Sequence, residues 1–135
     1  MKLSTLAIIV FSLMTGCASI QTLPEQGHAD EIRVVDRHMK EVLGAIHDQA
    51  KIDKVIAFIN SKRDGWDVPL SGPPVGQVYI NFYKTQKYIG NFYIGPYFFG
   101  RDHGNFWSKP ASKEEIKQFG DLLGIELSSI IDEAR

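Results

Sequence analysis

Apolar residues recur at helical spacing twice along the chain. Ile52, Val55, Ile56 and Ile59 fall at i, i+3, i+4 and i+7, the stripe of an amphipathic helix. Asp48 stands where an N-cap belongs, Lys62 and Arg63 place positive charge at the carbonyl end, and Gly65 suits the stop. Ile116, Phe119, Leu122 and Leu123 make the second stripe. Ahead of it, Ser112-Lys113-Glu114-Glu115 reads as a capping box in which Ser112 bonds the Glu115 amide and the glutamate reaches back, and Gly124 ends the helix. A short final helix is predicted over 126–134.

Between these helices the pattern changes to alternation. Residues 77–84 and 87–94 read as paired strands joined by a two-residue turn at Thr85-Gln86, and Gly95-Pro96 ends the pair. Neither turn residue is one that this geometry prefers. In that register Tyr83 faces Tyr88, Asn81 faces Gly90 and Tyr79 faces Phe92 on one side of the sheet, while Val78, Ile80, Phe82, Ile89 and Tyr93 share the other. Two further short strands, 97–99 and 105–108, are expected around a loop over 100–104. Residues 65–76, with Pro69, Gly72, Pro73 and Pro74, are too rich in proline for a helix or a central strand and are expected to be a loop.

Residues 31–48 support two readings. Ile32, Val35, Met39, Val42 and Ile46 fit a helical stripe, whereas Ile32-Arg33-Val34 and 42–46 suit two short strands. Gly44, and the length that one helix running on to Lys62 would need, favour the strands. The elements together predict an α+β domain over 31–135, a small antiparallel β-sheet with helices packed on a face.

Ahead of the domain, residues 1–16 have the parts of an export signal: Lys2, an apolar stretch from Leu6 to Met14, and small residues at Thr15-Gly16. A stretch this short does not span a bilayer permanently, which takes about 20 apolar residues. Leu13-Met14-Thr15-Gly16-Cys17 resembles the lipobox of bacterial lipoproteins, with Met14 where Leu is more frequent. The resemblance implies cleavage before Cys17 and a diacylglycerol on its sulfur, in many bacteria with a further acyl chain on the new amino group. Two or three chains, at about 0.8 kcal/mol per buried CH₂, hold a protein durably at a membrane. Ala18, where an Asp commonly retains Gram-negative lipoproteins in the inner membrane, implies the outer membrane facing the periplasm. Residues 17–30 then form the lipidated start and a polar, flexible tether; a dozen such residues reach about 20 Å. The body, through Phe58-Ile59-Asn60 with Trp66, Ile80-Asn81-Phe82-Tyr83 and Ile89-Gly90, is similar to small uncharacterised bacterial lipoproteins and secreted proteins.

Composition narrows the partners. Apolar residues make up 44% and charged residues 23%, ordinary for a globular chain. Lys2 is the only charge in the leader, so its removal leaves 14 of the 15 basic residues against 16 acidic ones. That balance, without a basic cluster, argues against nucleic acid. Cys17 is the only cysteine, so no intrachain disulfide supports the domain.

Chemistry-bearing residues are sparse. His28, His38, His47 and His103 do not share the close spacing of a metal-ligand pair, and Asp102-His103 lies without a nearby activated nucleophile. Glu114 and Glu115 belong to the capped helix start. No cofactor is expected. The candidate binding surface is the tyrosine-rich side of the sheet, Tyr79, Tyr83, Tyr88 and Phe92, unless other elements cover it, with Trp66 and Trp107 bordering loops; for the two tryptophans a core role is the favoured reading. The long 65–76 loop is a further place to look. The function expected is a non-enzymatic, membrane-anchored module that binds another envelope or extracellular protein, inhibitor-like or immunity-like proteins included. The rivals are a structural or assembly lipoprotein of the envelope and a hydrolase of envelope polymers acting through Asp102 and His103.

Overall fold

The computed structural model describes residues 28–38, 40–72, 74–103 and 105–131. The expected leader, Cys17 and the expected tether as far as residue 27 lie outside the described residues. The elements are β1 (Glu31–Asp36), β2 (Glu41–Ile46), α1 (Gln49–Ser61), β3 (Val78–Lys84), β4 (Lys87–Gly95), β5 (Phe98–His103), β6 (Asn105–Pro110), α2 (Lys113–Leu123) and α3 (Leu127–Ile130). The strands form one antiparallel sheet in the order β2-β1-β3-β4-β5-β6, and the fold class is α+β.

Residues 31–36 and 41–46 are strands, and along the first the burial alternates. Ile32 and Val34 are fully buried, while Arg33 and Val35 lie half-buried on the opposite face. A helical stripe through Ile32 and Val35 would have had to bring those two faces together.

Asp48 caps α1, its carboxylate accepting from the amides of Ala50 at 2.8 Å and Lys51 at 3.3 Å. The helix ends at Ser61 with Lys62 as its cap, so Gly65, at φ +80°, turns the following loop and not the helix itself. The capping box of α2 is complete, and Gly124 closes that helix in the left-handed region at φ 73°. α3 is shorter than predicted; residues 132–134 of the expected span lie outside the described residues.

All three helices pack on one face of the sheet. Ile52, Val55 and Ile59 of α1, Phe119 and Leu123 of α2, and Leu127 of α3 join Ile32, Val34, Val78, Ile80, Phe82, Phe92, Ile94 and Phe99 in one core. Each such side chain contributes about 1.5–3 kcal/mol on burial. Phe119 anchors the aromatic part, stacked on Phe58 at 4.7 Å and meeting Phe92 and Phe99 edge-on at 5.5 and 6.1 Å.

The turn at Thr85-Gln86 is present, and both residues sit in the left-handed region at φ 48° and 65°. Two such residues give the twist that matches a hairpin. The Asp30 carboxylate helps to hold them, accepting the Thr85 amide at 3.0 Å. Tyr83 pairs with Tyr88 as predicted, but the register then shifts by one residue at a β-bulge: Phe82 pairs with Gly90, Asn81 with Asn91, Ile80 with Phe92 and Tyr79 with Tyr93. A one-residue slip exchanges the two faces of everything beyond it. Phe92 therefore belongs to the core, and Tyr93 to the opposite face.

The span predicted as a loop at 100–104 is mostly strand, since Gly100, Arg101 and Asp102 pair with Ser108, Trp107 and Phe106. The 65–76 loop begins by extending the sheet edge, where Asp67 and Ser108 exchange backbone hydrogen bonds at 2.9 Å each way. It then returns to β3 over the helix-free face. There Gly76 meets the Tyr93 ring so closely that a Cβ would stand 2.8 Å from Cδ2.

Candidate functional site

The helix-free face carries side chains from five strands. Arg33 and Val35 come from β1, Tyr79, Asn81 and Tyr83 from β3, Tyr88, Asn91 and Tyr93 from β4, Asp102 from β5 and Phe106 from β6. Tyr83 and Tyr88 meet edge-on at 6.0 Å, and the Arg33 guanidinium lies 4.1 Å from the centre of the Tyr83 ring, a cation–π contact. Arg33 is also paired with Glu31, chiefly through a hydrogen bond that raises its pKa.

Three of the six sequence-derived binding residues, Tyr79, Tyr83 and Tyr88, lie together on this face. The other three do not. Phe92 has no exposed surface and packs edge-on against Trp66 at 6.3 Å. Trp66 is buried in the core; its indole N–H donates to the Lys62 carbonyl, satisfying one of the free acceptors at the end of α1. Trp107 is half-buried against the same core. The tryptophans flank loops in sequence but face the helices in space.

The structure adds Tyr93, Asp102, Phe106 and Arg37 to the surface. The side chains of Tyr79 and Tyr93 stand 5.6 Å apart, centre to centre, and form the floor of a cleft of about 190 Å³. Arg37 just beyond β1, Asp102 and Phe106 on β5 and β6, and Pro74 and Val75 of the long loop complete it. Tyr93 is only 3% exposed, and its hydroxyl finds no hydrogen-bond partner among the described residues. Burial, then the nearby charge of Asp102, pushes its pKa up to about 12. The same Asp102 charge, after burial, raises that of Tyr88. Burial also raises the pKa of the Asp102 carboxyl, opposed by a hydrogen bond from the Asn91 side chain. Asp102 thus sits between the tyrosines as their common anion.

The sequence carried one signal for Tyr93, the glycines that make room for it. A Cβ on Gly100 would overlap its Cε2 and Cζ, and one on Gly76 its Cδ2. In the sequence Asp102 stands out only as a neighbour of His103, whose side chain lies outside the described residues. No group of three His, Cys, Asp or Glu able to hold a metal occurs among the described residues. A second groove of about 310 Å³ lies on the helical side, between Pro96, Tyr97, Lys113, Ile116, Lys117, Ser128 and Ile131. It contains none of the residues picked from sequence. Among the described residues no helix is long and apolar enough to cross a membrane.

Compared with protein-family models, with curated proteins and with solved structures, the chain matches none.

Proposed function

We propose that this protein is a non-enzymatic binding module of the cell envelope, lipid-anchored through Cys17 and recognising another protein through the helix-free face of its sheet. The observation that carries this reading is the one-sided packing of the helices. α1, α2 and α3 cover one face, and the other presents tyrosines, an arginine and a carboxylate. Tyr88 and Phe106 remain 50% and 48% exposed on it. Tyrosine and arginine are the residues that dominate protein interfaces, because they bring large contact area at modest entropy cost.

The place where the chain enters the sheet supports the same reading. Asp30, at the end of the tether, is bonded to the β3–β4 turn, beside Tyr83 and Tyr88. The cleft lies toward the other end of β1, which at about 3.3 Å per residue is some 17 Å farther along the strand. Lipid at Cys17, on a tether that reaches about 20 Å, would leave that end of the face free to meet a partner. By its resemblance to the lipobox, with Ala18 following the cysteine, the anchor in a Gram-negative cell belongs in the outer membrane facing the periplasm.

The test is site-specific photocrosslinking with the full chain in intact cells. A crosslinker at Tyr83 or Tyr88 should give one discrete protein adduct, and one at Lys54 or Gln118 on the exposed sides of α1 and α2 should not. Equal adducts from both faces, or none from the tyrosine face, overturn the proposal. The anchor is tested separately by the mass of the amino-terminal peptide, which must carry diacylglycerol on Cys17.

A further inference from the structure

We infer that the cleft over Tyr93 is the anchor pocket of this face and takes one basic side chain, lysine or arginine, from the protein partner. This deepens the binding-module reading and rests on it. Three aromatic rings line the cleft, those of Tyr79, Tyr93 and Phe106, with Asp102 beside them. Ring faces attract a cation, and the attraction grows as water is excluded. Tyr93 supplies the second observation: it lines the cleft, and its hydroxyl is buried with no partner among the described residues. A buried hydroxyl left in that state is costly until something bonds it.

The chemistry of the occupant follows by comparing what each class would leave uncompensated. An anionic group would be set against Asp102. A purely apolar group would strip more water from the Asp102 carboxylate and leave the Tyr93 hydroxyl unbonded. An ammonium or guanidinium answers both, as it pairs with the carboxylate and donates to the hydroxyl oxygen, while its aliphatic stem lies along Val75 and Pro74. Arg37 does not cancel this. It enters from β1 and Asp102 from β5, so three strand spacings, about 14 Å, separate their backbones. Its charge gives the cleft a positive end that repels a basic group and so directs it toward Asp102. The volume of about 190 Å³ suits one side chain. Cofactor and drug pockets are larger, about 300–1,000 Å³.

The experiment uses the full chain in non-ionic detergent, with its tyrosine and phenylalanine rings labelled for NMR. The probes are capped tripeptides, glycine on either side of lysine, arginine, glutamate or norleucine. The lysine and arginine peptides should shift the ring signals of Tyr79, Tyr93 and Phe106 saturably at millimolar concentration, and the glutamate and norleucine peptides should not. Asp102→Asn should weaken binding by about tenfold or more. Tyr93→Phe should weaken it as well while the protein remains folded, and Arg37→Ala should leave it unchanged or tighten it. Norleucine binding as well as lysine, an unchanged affinity in Asp102→Asn, or no saturable shift with either basic peptide overturns the inference. If basic peptides fail while the crosslinker at Tyr88 still captures a protein, the face binds without this anchor. If both fail, the binding-module reading falls with it.

Discussion

Tyr93 occupies the space that a side chain on Gly100 would need. A Cβ built on that glycine would overlap ring carbons Cε2 and Cζ of the tyrosine, which lies across from β4 onto β5. The ring is thereby fixed between Gly100 and Gly76, and the floor of the cleft is rigid before anything binds.

Gly100→Ala should therefore cost about 1–3 kcal/mol, the usual penalty for overpacking, and should open the cleft as the ring is displaced. Gly44→Ala is the control, since its added Cβ would meet only Ile125 Cδ1, at an ordinary 3.7 Å. It should change stability by less than about 0.5 kcal/mol. Urea denaturation of the two variants beside the parent checks both.

Tyr93→Phe should raise stability by about 1 kcal/mol, because it removes a buried hydroxyl that has no partner among the described residues. The hydroxyl titrates near 12 in the folded chain against 10.0 ordinarily. Below the lower value both folded and unfolded forms hold the proton. Above it the unfolded chain ionises first, so the parent should lose stability as the pH rises through this window, and Tyr93→Phe should lose less. Tyrosinate absorbance and urea midpoints across the alkaline range measure the two effects.

Arg101 is 1% exposed, and its Nε and Nη2 have no hydrogen-bond partner among the described residues. Its guanidinium lies 5.5 Å from the Trp66 ring centre, and burial draws its pKa down to about 10. A buried charge with no carboxylate paired to it among the described residues is a net cost, so Arg101→Met, which keeps the bulk, should stabilise the fold by about 1–3 kcal/mol. Arg101→Ala should instead destabilise it by leaving a cavity. The cost is in force below about 10 and is relieved as the pH rises beyond it, where the folded form gives up its proton before the unfolded one. Denaturation in a Tyr93→Phe background separates this rise from the opposing change at the tyrosine.

Lys62 at the end of α1 and Glu115 in the capping box of α2 are joined at 2.9 Å, tying the two helices together. The Lys62 hydrogen bond, followed by the Ser112 amide, holds the Glu115 carboxyl below its ordinary pKa. Its contribution is present above the ordinary carboxylate value and is lost as the pH falls through the lowered one. Glu115→Gln should cost about 1 kcal/mol at neutral pH, and the gap to the parent should close in acid. Thermal unfolding across a pH series reads it directly.

The helices were legible in the sequence because each carries redundant signals. Asp48 and the Ile52 stripe agree, as do Ser112, Glu115, the Phe119 stripe and Gly124. The Thr85-Gln86 turn and the Tyr83–Tyr88 pair were also legible. What failed was the face of β4. Phe92 and Tyr93 are adjacent large aromatics, so either register buries one and presents the other, and alternation cannot choose between them. The bulge beyond Tyr88 decides, and it has no marker in the pattern other than Gly90, which a regular strand tolerates as well. Asp102 and Phe106 were missed for a different reason. They join Tyr79 and Tyr93 only through the strand order, which places β5 beside β4 and β6 one strand beyond it.

Although β1 is the first strand among the described residues, it is an interior strand, hydrogen-bonded to β2 on one side and β3 on the other. Tension applied from the amino end must therefore break two ladders together, after first releasing Asp30 from the hairpin turn. An edge strand in that position would peel away one bond at a time. This strand order gives the protein mechanical grip at the end by which a tether would pull it.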